Sequence, residues 1–150
     1  MFTIPMFDAC LPGNVPGKGS SAWVAGYLDG PCKWPGEGWS AFPLRRKVRI
    51  TTQANELADV FDWEHGTATL TSVRYAIEYR ARSYLASVVY CSLLTWDTAK
   101  SALDGLPVAW WVADWTGKEH LVPGSVATQW GSFPTYDAST VDLNGWPKLP

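Results

Sequence analysis

Asp62 and Glu64 stand two residues apart at the end of an apolar run, ADVFDWEHG, that extends from Ala58 to Gly66. On a strand, successive side chains alternate sides and rise about 3.3 Å per residue, so the two carboxyl groups share one face with Cα atoms roughly 6 to 7 Å apart. Such a pair suits acid chemistry on a sugar. Hydrolysis of a glycosidic bond uses one carboxyl group that keeps its proton, so that the leaving oxygen does not depart as an alkoxide, and a second that stays ionised beside the developing oxocarbenium ion. Like charges this close push one of the two pKa values upward. Asp-x-Glu also ends ordinary solvated strands, but two further acids give it context: Asp8 ends the apolar run TIPMFD, and Asp142 lies in STVDLN near the C-terminus. Three acidic sites at the carboxyl ends of separate strands are what a (β/α) barrel needs, because its active site gathers at that face.

Eight segments have the composition of strands: Thr3 to Asp8, Ala22 to Leu28, Lys47 to Thr52, Ala58 to Glu64, Ala86 to Cys91, Pro107 to Ala113, Val126 to Trp130 and Thr140 to Leu143. Two segments have helical spacing. Leu70 to Tyr84 places Val73, Ile77 and Ala81 on one face, and Trp96 to Leu103 follows Thr95 as an N-cap and stops before Gly105 and Pro107. The middle of the chain therefore alternates strand and helix, which predicts right-handed parallel crossovers. In the first half, Leu11 to Ser21 and Asp29 to Leu44 are rich in Gly, Pro and Ser without helical periodicity, so irregular loops are expected there. Only Gln53 to Leu57 separates the third and fourth strands, whereas a parallel crossover usually needs about ten residues or more. Those strands either pair as a hairpin or are joined by a nearly extended link. A complete barrel of this kind takes about 250 residues, so the expected fold class is α/β, a trimmed or incomplete (β/α)8 TIM-type barrel with several helices missing in the first half.

A chain of 150 residues with 47% hydrophobic content is one domain with enough apolar material for a core. The net charge of -2 argues against a nucleic-acid footprint. Arg45, Arg46 and Lys47 form the one basic cluster, expected as a solvated loop rather than a phosphate site. No stretch reaches the roughly 18 apolar residues of a membrane span, so no membrane association is expected. The start, MFTIPMFDAC, lacks the basic and long apolar regions of a secretory signal and has the pattern of a first strand. Cys10, Cys32 and Cys91 show no C-x-x-C spacing, and buried free thiols are the default, with a Cys10–Cys32 disulfide as the alternative because both follow strand ends. His65 and His120 form no metal-ligand pattern; His65 adjoins the acid pair and could modulate it. Of the ten tryptophans, Trp111, Trp115 and Trp130 lie near the ends of late strands, where a ring can either fill core or stack on a sugar.

Asp8 on a first strand, D-W-E at Asp62 to Glu64, YCS at Tyr90 to Ser92, AWWVADW at Ala109 to Trp115, ATQWGS at Ala127 to Ser132 and YDASTVDLN at Tyr136 to Asn144 occur in an order that resembles the family-25 glycoside hydrolases, which are lysozyme-type muramidases. The chain is similar also to compact glycoside hydrolase-like domains of bacteria and bacteriophages. The resemblance implies a single barrel domain over residues 1–150, cleavage of the β-1,4 bond after N-acetylmuramic acid in peptidoglycan, and no metal or other cofactor. It implies Glu64 as general acid, Asp62 as the partner that stabilises charge or positions the acetamido group, and Asp8 and Asp142 as further catalytic-face acids. Tyr90, Trp111, Asp114 and Trp130 are the expected substrate-binding residues, Asp114 standing where the family more often has a non-acidic polar residue. The expected partners are peptidoglycan or another glycan, with virion proteins as the second class. The expected location is a bacteriophage virion, or the host cell and its wall after lysis. The competing expectation is a catalytically silent barrel serving as a virion structural, decoration or glycan-binding module.

Overall fold

Residues 1–17, 20–53, 56–64, 74, 77, 78 and 87–148 are described by the computed structural model. Within them the short β-branched and aromatic runs form eight strands: β1 (Thr3–Asp8), β2 (Trp23–Tyr27), β3 (Lys47–Thr51), β4 (Val60–Asp62), β5 (Ser87–Ser92), β6 (Val108–Ala113), β7 (Ala127–Ser132) and β8 (Asp137–Asp142). Each overlaps one of the expected strands. They pair in chain order and close into a barrel, β8 returning to β1. Strands β1 to β7 run parallel to their neighbours, but β8 is antiparallel to both β7 and β1, with Asp8 opposite Asp137 and Thr3 opposite Asp142.

This corrects the expected α/β (β/α)8 TIM-type architecture. The molecule is a closed, mixed β-barrel that is mostly strand, and its one substantial helix among the described residues is the seven-residue Trp96–Ala102. Gly36–Ser40 is a single helical turn. Of the helix expected over Leu70 to Tyr84, only Arg74, Ile77 and Glu78 are described, and these are helical; the rest lies outside the described residues, as does His65. The physical reason for the reversed last strand is the length of its connection. Only Phe133 to Tyr136 join β7 to β8, a hairpin length that cannot carry a parallel crossover. Between β3 and β4 the pairing of Ile50 with Val60 is parallel, so the hairpin alternative does not apply there.

Alternation within each strand sorts the side chains into two layers. Met6, Ala25, Val48, Ile50, Val60, Val88, Trp111, Ala127 and Val141 fill the barrel interior. Trp23 and Trp146 meet edge to face at 5.5 Å beside this core, at the end where β2 begins and β8 finishes. Outward-facing Phe61 and Val89 pack under Ile77 and Leu103, while Cys91 and Val112 pack under Trp96 and Ala99. On the β1–β2 side, Val24 packs with Val15, Trp34 and Phe42. Arg45 departs from the solvated loop expected for the basic cluster. Its side chain is buried and donates to the carbonyl oxygens of Ala22, Pro16 and Gly17, tying the loop before β2 to the approach of β3. Arg46 lies over the Trp23 ring at 4.8 Å. Cys10 and Cys32 form a disulfide, so of the alternatives for these thiols the bonded one is present, and Cys91 is the buried free cysteine.

Candidate functional site

The parallel strands β1 to β7 all deliver their last residues to one mouth of the barrel, and β8, running the other way, delivers its first. Inward alternation then brings Asp8, Tyr27, Asp62, Gln129 and Asp137 together from β1, β2, β4, β7 and β8. Asp8 and Asp62 are 8% and 3% exposed, so burial dominates their chemistry.

Tyr27 Oη donates to Asp62 Oδ2 at 2.8 Å, and Asp62 Oδ1 is buried without a hydrogen-bond partner. Gln129 is the hub of the opposite side. Its Nε2 donates to Asp8 Oδ1 at 3.0 Å and, at a longer 3.4 Å, to Asp137 Oδ2; its Oε1 accepts from Tyr90 Oη at 2.8 Å and Trp115 Nε1 at 2.9 Å. Two donors and two lone pairs are thereby engaged, the full capacity of the amide. Among the described residues no Lys or Arg forms an ion pair with Asp8, Asp62 or Asp137.

Burial without a cation raises the carboxyl pKa values. Asp8 is raised to about 7, first by desolvation and then by the charge of Asp137, with Gln129 opposing. Asp62 is raised to about 7 by desolvation and by the neighbouring Glu64, with the Tyr27 hydroxyl opposing. Desolvation also pushes Asp137 up. Tyr27 and Tyr90 are raised by burial among these acids and stay protonated donors. Near neutral pH the mouth thus retains protons on carboxyl groups, which is the condition for general acid chemistry.

β4 ends at Asp62, so Glu64 stands two residues beyond the strand rather than on a strand face shared with Asp62: Asp62 is buried, Glu64 is exposed, and the Glu64 charge is felt by Asp62, Asp8, Tyr27 and Tyr90. Asp8 joins them. Asp142 does not, because β8 is reversed; it pairs with Thr3 at the far end of the barrel, where its Oδ1 accepts the Asn144 N–H at 3.0 Å. Tyr90 lies in the floor of the mouth. Trp111 is core, 1% exposed, with Nε1 donating to Ser139 Oγ. Trp130 alternates to the other face from Gln129 and donates to Thr140 Oγ1. Asp114 stands past the end of β6 and is paired with His120 Nε2 at 2.9 Å; the Lys118 carbonyl and Asp114 hold the imidazole pKa up. Trp115 is the exposed ring of the group, 59% accessible.

Tyr27, Gln129 and Asp137 were not among the expected site residues. Tyr27 and Gln129 carry a signal, each being the polar member of an inward row, Ala25 to Tyr27 and Ala127 to Gln129. Asp137 was hidden because the last strand was expected to begin only at Thr140. A cleft of about 560 Å3 opens beside these acids, with Asp8, Tyr27 and Asp137 in its lining, Cys10 and Cys32 on one side, and Phe133 and Tyr136 on the other. Phe133 and Tyr136 stack at 4.8 Å. A second cavity of about 630 Å3, lined by Pro12, Pro35, Phe42 and Leu44 outside the barrel, contains none of the mouth carboxylates. Among the described residues no group of three or more His, Cys, Asp or Glu is arranged to hold a metal ion, and no helix is long and apolar enough to cross a membrane.

Fold and site together define a small mixed β-barrel with a proton-retaining acidic mouth. No protein-family model, curated protein or solved structure matches the chain. The likeness to family-25 glycoside hydrolases therefore rests on the residues quoted for it.

Proposed function

We propose that this protein hydrolyses a β-1,4 glycosidic bond of peptidoglycan, with the Asp62–Glu64 pair as its acid machinery. The observation that carries the reading is Asp62: one carboxyl oxygen held by Tyr27, the other buried and unpartnered at the mouth, beside a solvent-reaching Glu64. A substrate N–H or O–H would satisfy Asp62 Oδ1. Such a contact would seat a sugar so that Glu64 meets the glycosidic oxygen. Protonation of that oxygen by Glu64 breaks the glycosidic bond and lets the leaving sugar depart as an alcohol, the carboxylate charge stabilises the oxocarbenium ion, and water then bonds to the anomeric carbon and returns a proton to Glu64. Near neutrality a proton is retained on Asp62, whose carboxyl is raised to about 7 by burial and by the neighbouring Glu64. Gln129 holds Asp8 and Asp137 across the mouth, and the Phe133–Tyr136 stack supports an apolar sugar face in the adjoining cleft.

Reducing-sugar release from purified peptidoglycan between pH 4 and 8 tests the reading. The native chain is expected to release reducing ends, and Glu64→Gln and Asp62→Asn, each matched for folding, to lose about 10² to 10⁴ in rate. A folded native protein that releases none sinks the hydrolase. Saturable oligosaccharide binding without product would then favour the silent, glycan-contacting barrel.

A further inference from the structure

We propose that the Cys10–Cys32 disulfide is a thiol–disulfide exchange site in the wall of the cleft, at which a dithiol reductant loosens the carboxylate site while the barrel stays folded. Its position carries the inference. Cys10 follows Asp8 by two residues, and both half-cystines line the cleft together with Asp8, Tyr27 and Asp137. The bond joins the connection leaving β1 to the connection leaving β2, outside every strand, so no rung of the barrel depends on it.

A second anchor between the same segments sits deeper. The Trp34 ring is buried, its Nε1 donates to the Ala9 carbonyl at 2.9 Å, and its backbone N–H donates to Tyr27 O at 2.9 Å. Opening the disulfide therefore frees the rim at Cys10 while Trp34 keeps the two connections on the barrel. Access is available from solvent, because Cys10 is exposed and Cys32 half-buried. Cys91, by contrast, is fully buried, and its thiol is pushed up to about 12 by desolvation, which keeps it out of exchange.

The reaction needs an external dithiol as two-electron donor. One of its thiolates attacks Cys10 Sγ, forming a mixed disulfide and expelling the Cys32 thiolate, which takes up a proton. The second thiol of the reductant, as thiolate, then attacks its own sulfur in the mixed disulfide and expels the Cys10 thiolate, which is also protonated. Two protein thiols and one cyclic disulfide result.

The test treats the full oxidised chain with dithiothreitol in the absence of denaturant, traps free thiols with iodoacetamide, and follows the Asp8 carboxyl carbon by NMR against pH. The expected result is alkylation at Cys10 and Cys32 but not Cys91, an unchanged barrel circular-dichroism spectrum, and a downward shift of the Asp8 midpoint by about one unit or more as water enters beside it. In a reduced sample left unalkylated the shift should reverse on reoxidation, and the double variant Cys10→Ser/Cys32→Ser should match the reduced protein. A bond that yields only when the barrel unfolds overturns the proposal, and so does an Asp8 midpoint that is the same in both redox states. The measurement does not rest on the hydrolase reading: absence of peptidoglycan cleavage in either state would refute that reading and leave this one standing.

Discussion

Gln129 keeps two carboxyl groups, a phenol and an indole on a single amide, and the acids it bridges are set by burial, with no cation among the described residues paired to them. That has a consequence for stability. Burial raises the Asp8 and Asp62 carboxyls to about 7 in the folded chain from an ordinary 3.8, so between those values the folded state binds more protons than the unfolded one. Stability contributed by these groups is complete below about pH 4 and is lost as pH rises through 7. Urea denaturation should therefore show a less stable protein at pH 8 than at pH 5, and Asp8→Asn should stabilise it by about 1 to 3 kcal/mol at pH 8 while flattening the profile. A native profile that rises toward pH 8 would contradict the assignment. The two ends of β8 make opposite predictions. Asp137→Asn removes the charge that helps hold Asp8 up and should lower the Asp8 midpoint seen by NMR, whereas Asp142→Asn, at the far end of the barrel, should leave it in place.

At the scale of elements, β2 is shaped by what lies over it. The Trp34 ring sits where a Cβ on Gly26 would have to go, so the glycine in WVAGY is required by the close approach of the indole. Gly26→Ala should displace Trp34, the anchor of the connections leaving β1 and β2, and cost about 1 to 3 kcal/mol of stability by thermal or urea unfolding. A change below experimental error would mean that the ring has room to move. The β7–β8 hairpin shows the other side of element logic: its connection is too short to cross the barrel, so β8 must reverse, and the reversal chooses which end of the strand reaches the mouth.

For the whole molecule, closure is the governing fact. Each of the eight described strands has two neighbours, so this sheet closes without an unpaired edge, and its six-residue β1–β8 seam joins Thr3–Asp8 to Asp137–Asp142. The disulfide adds to this by shortening the unfolded chain's freedom over a sequence separation of 22 residues, worth about 3 kcal/mol. Cys10→Ser/Cys32→Ser should accordingly melt about 6 to 12 °C lower while keeping the barrel spectrum at 25 °C. A double variant unfolded at 25 °C would show that the bond, and not strand closure, holds the domain together.

Much of this was legible in the chain. The apolar run ending at Asp8 marks a strand end because side-chain alternation is local, and the run through Asp62 was legible as a strand, but β4 stops at Asp62 and Glu64 lies beyond it. The buried Arg45, the bonded Cys10 and Cys32, and the hub at Gln129 were not legible, since each depends on partners from distant segments, as far as 121 positions apart for Gln129 and Asp8. The expected architecture differed at two points: with the last strand expected at Thr140 rather than Asp137, nine apparent linker residues concealed a hairpin, and the helices expected of an α/β barrel reduce among the described residues to one of substance, Trp96–Ala102. Local pattern determines where strands lie and which residues share a face. Which strands neighbour one another, and whether the last runs up or down, is decided only when the barrel closes. Closure then fixes which acids meet and which, like Asp142, are carried to the other end.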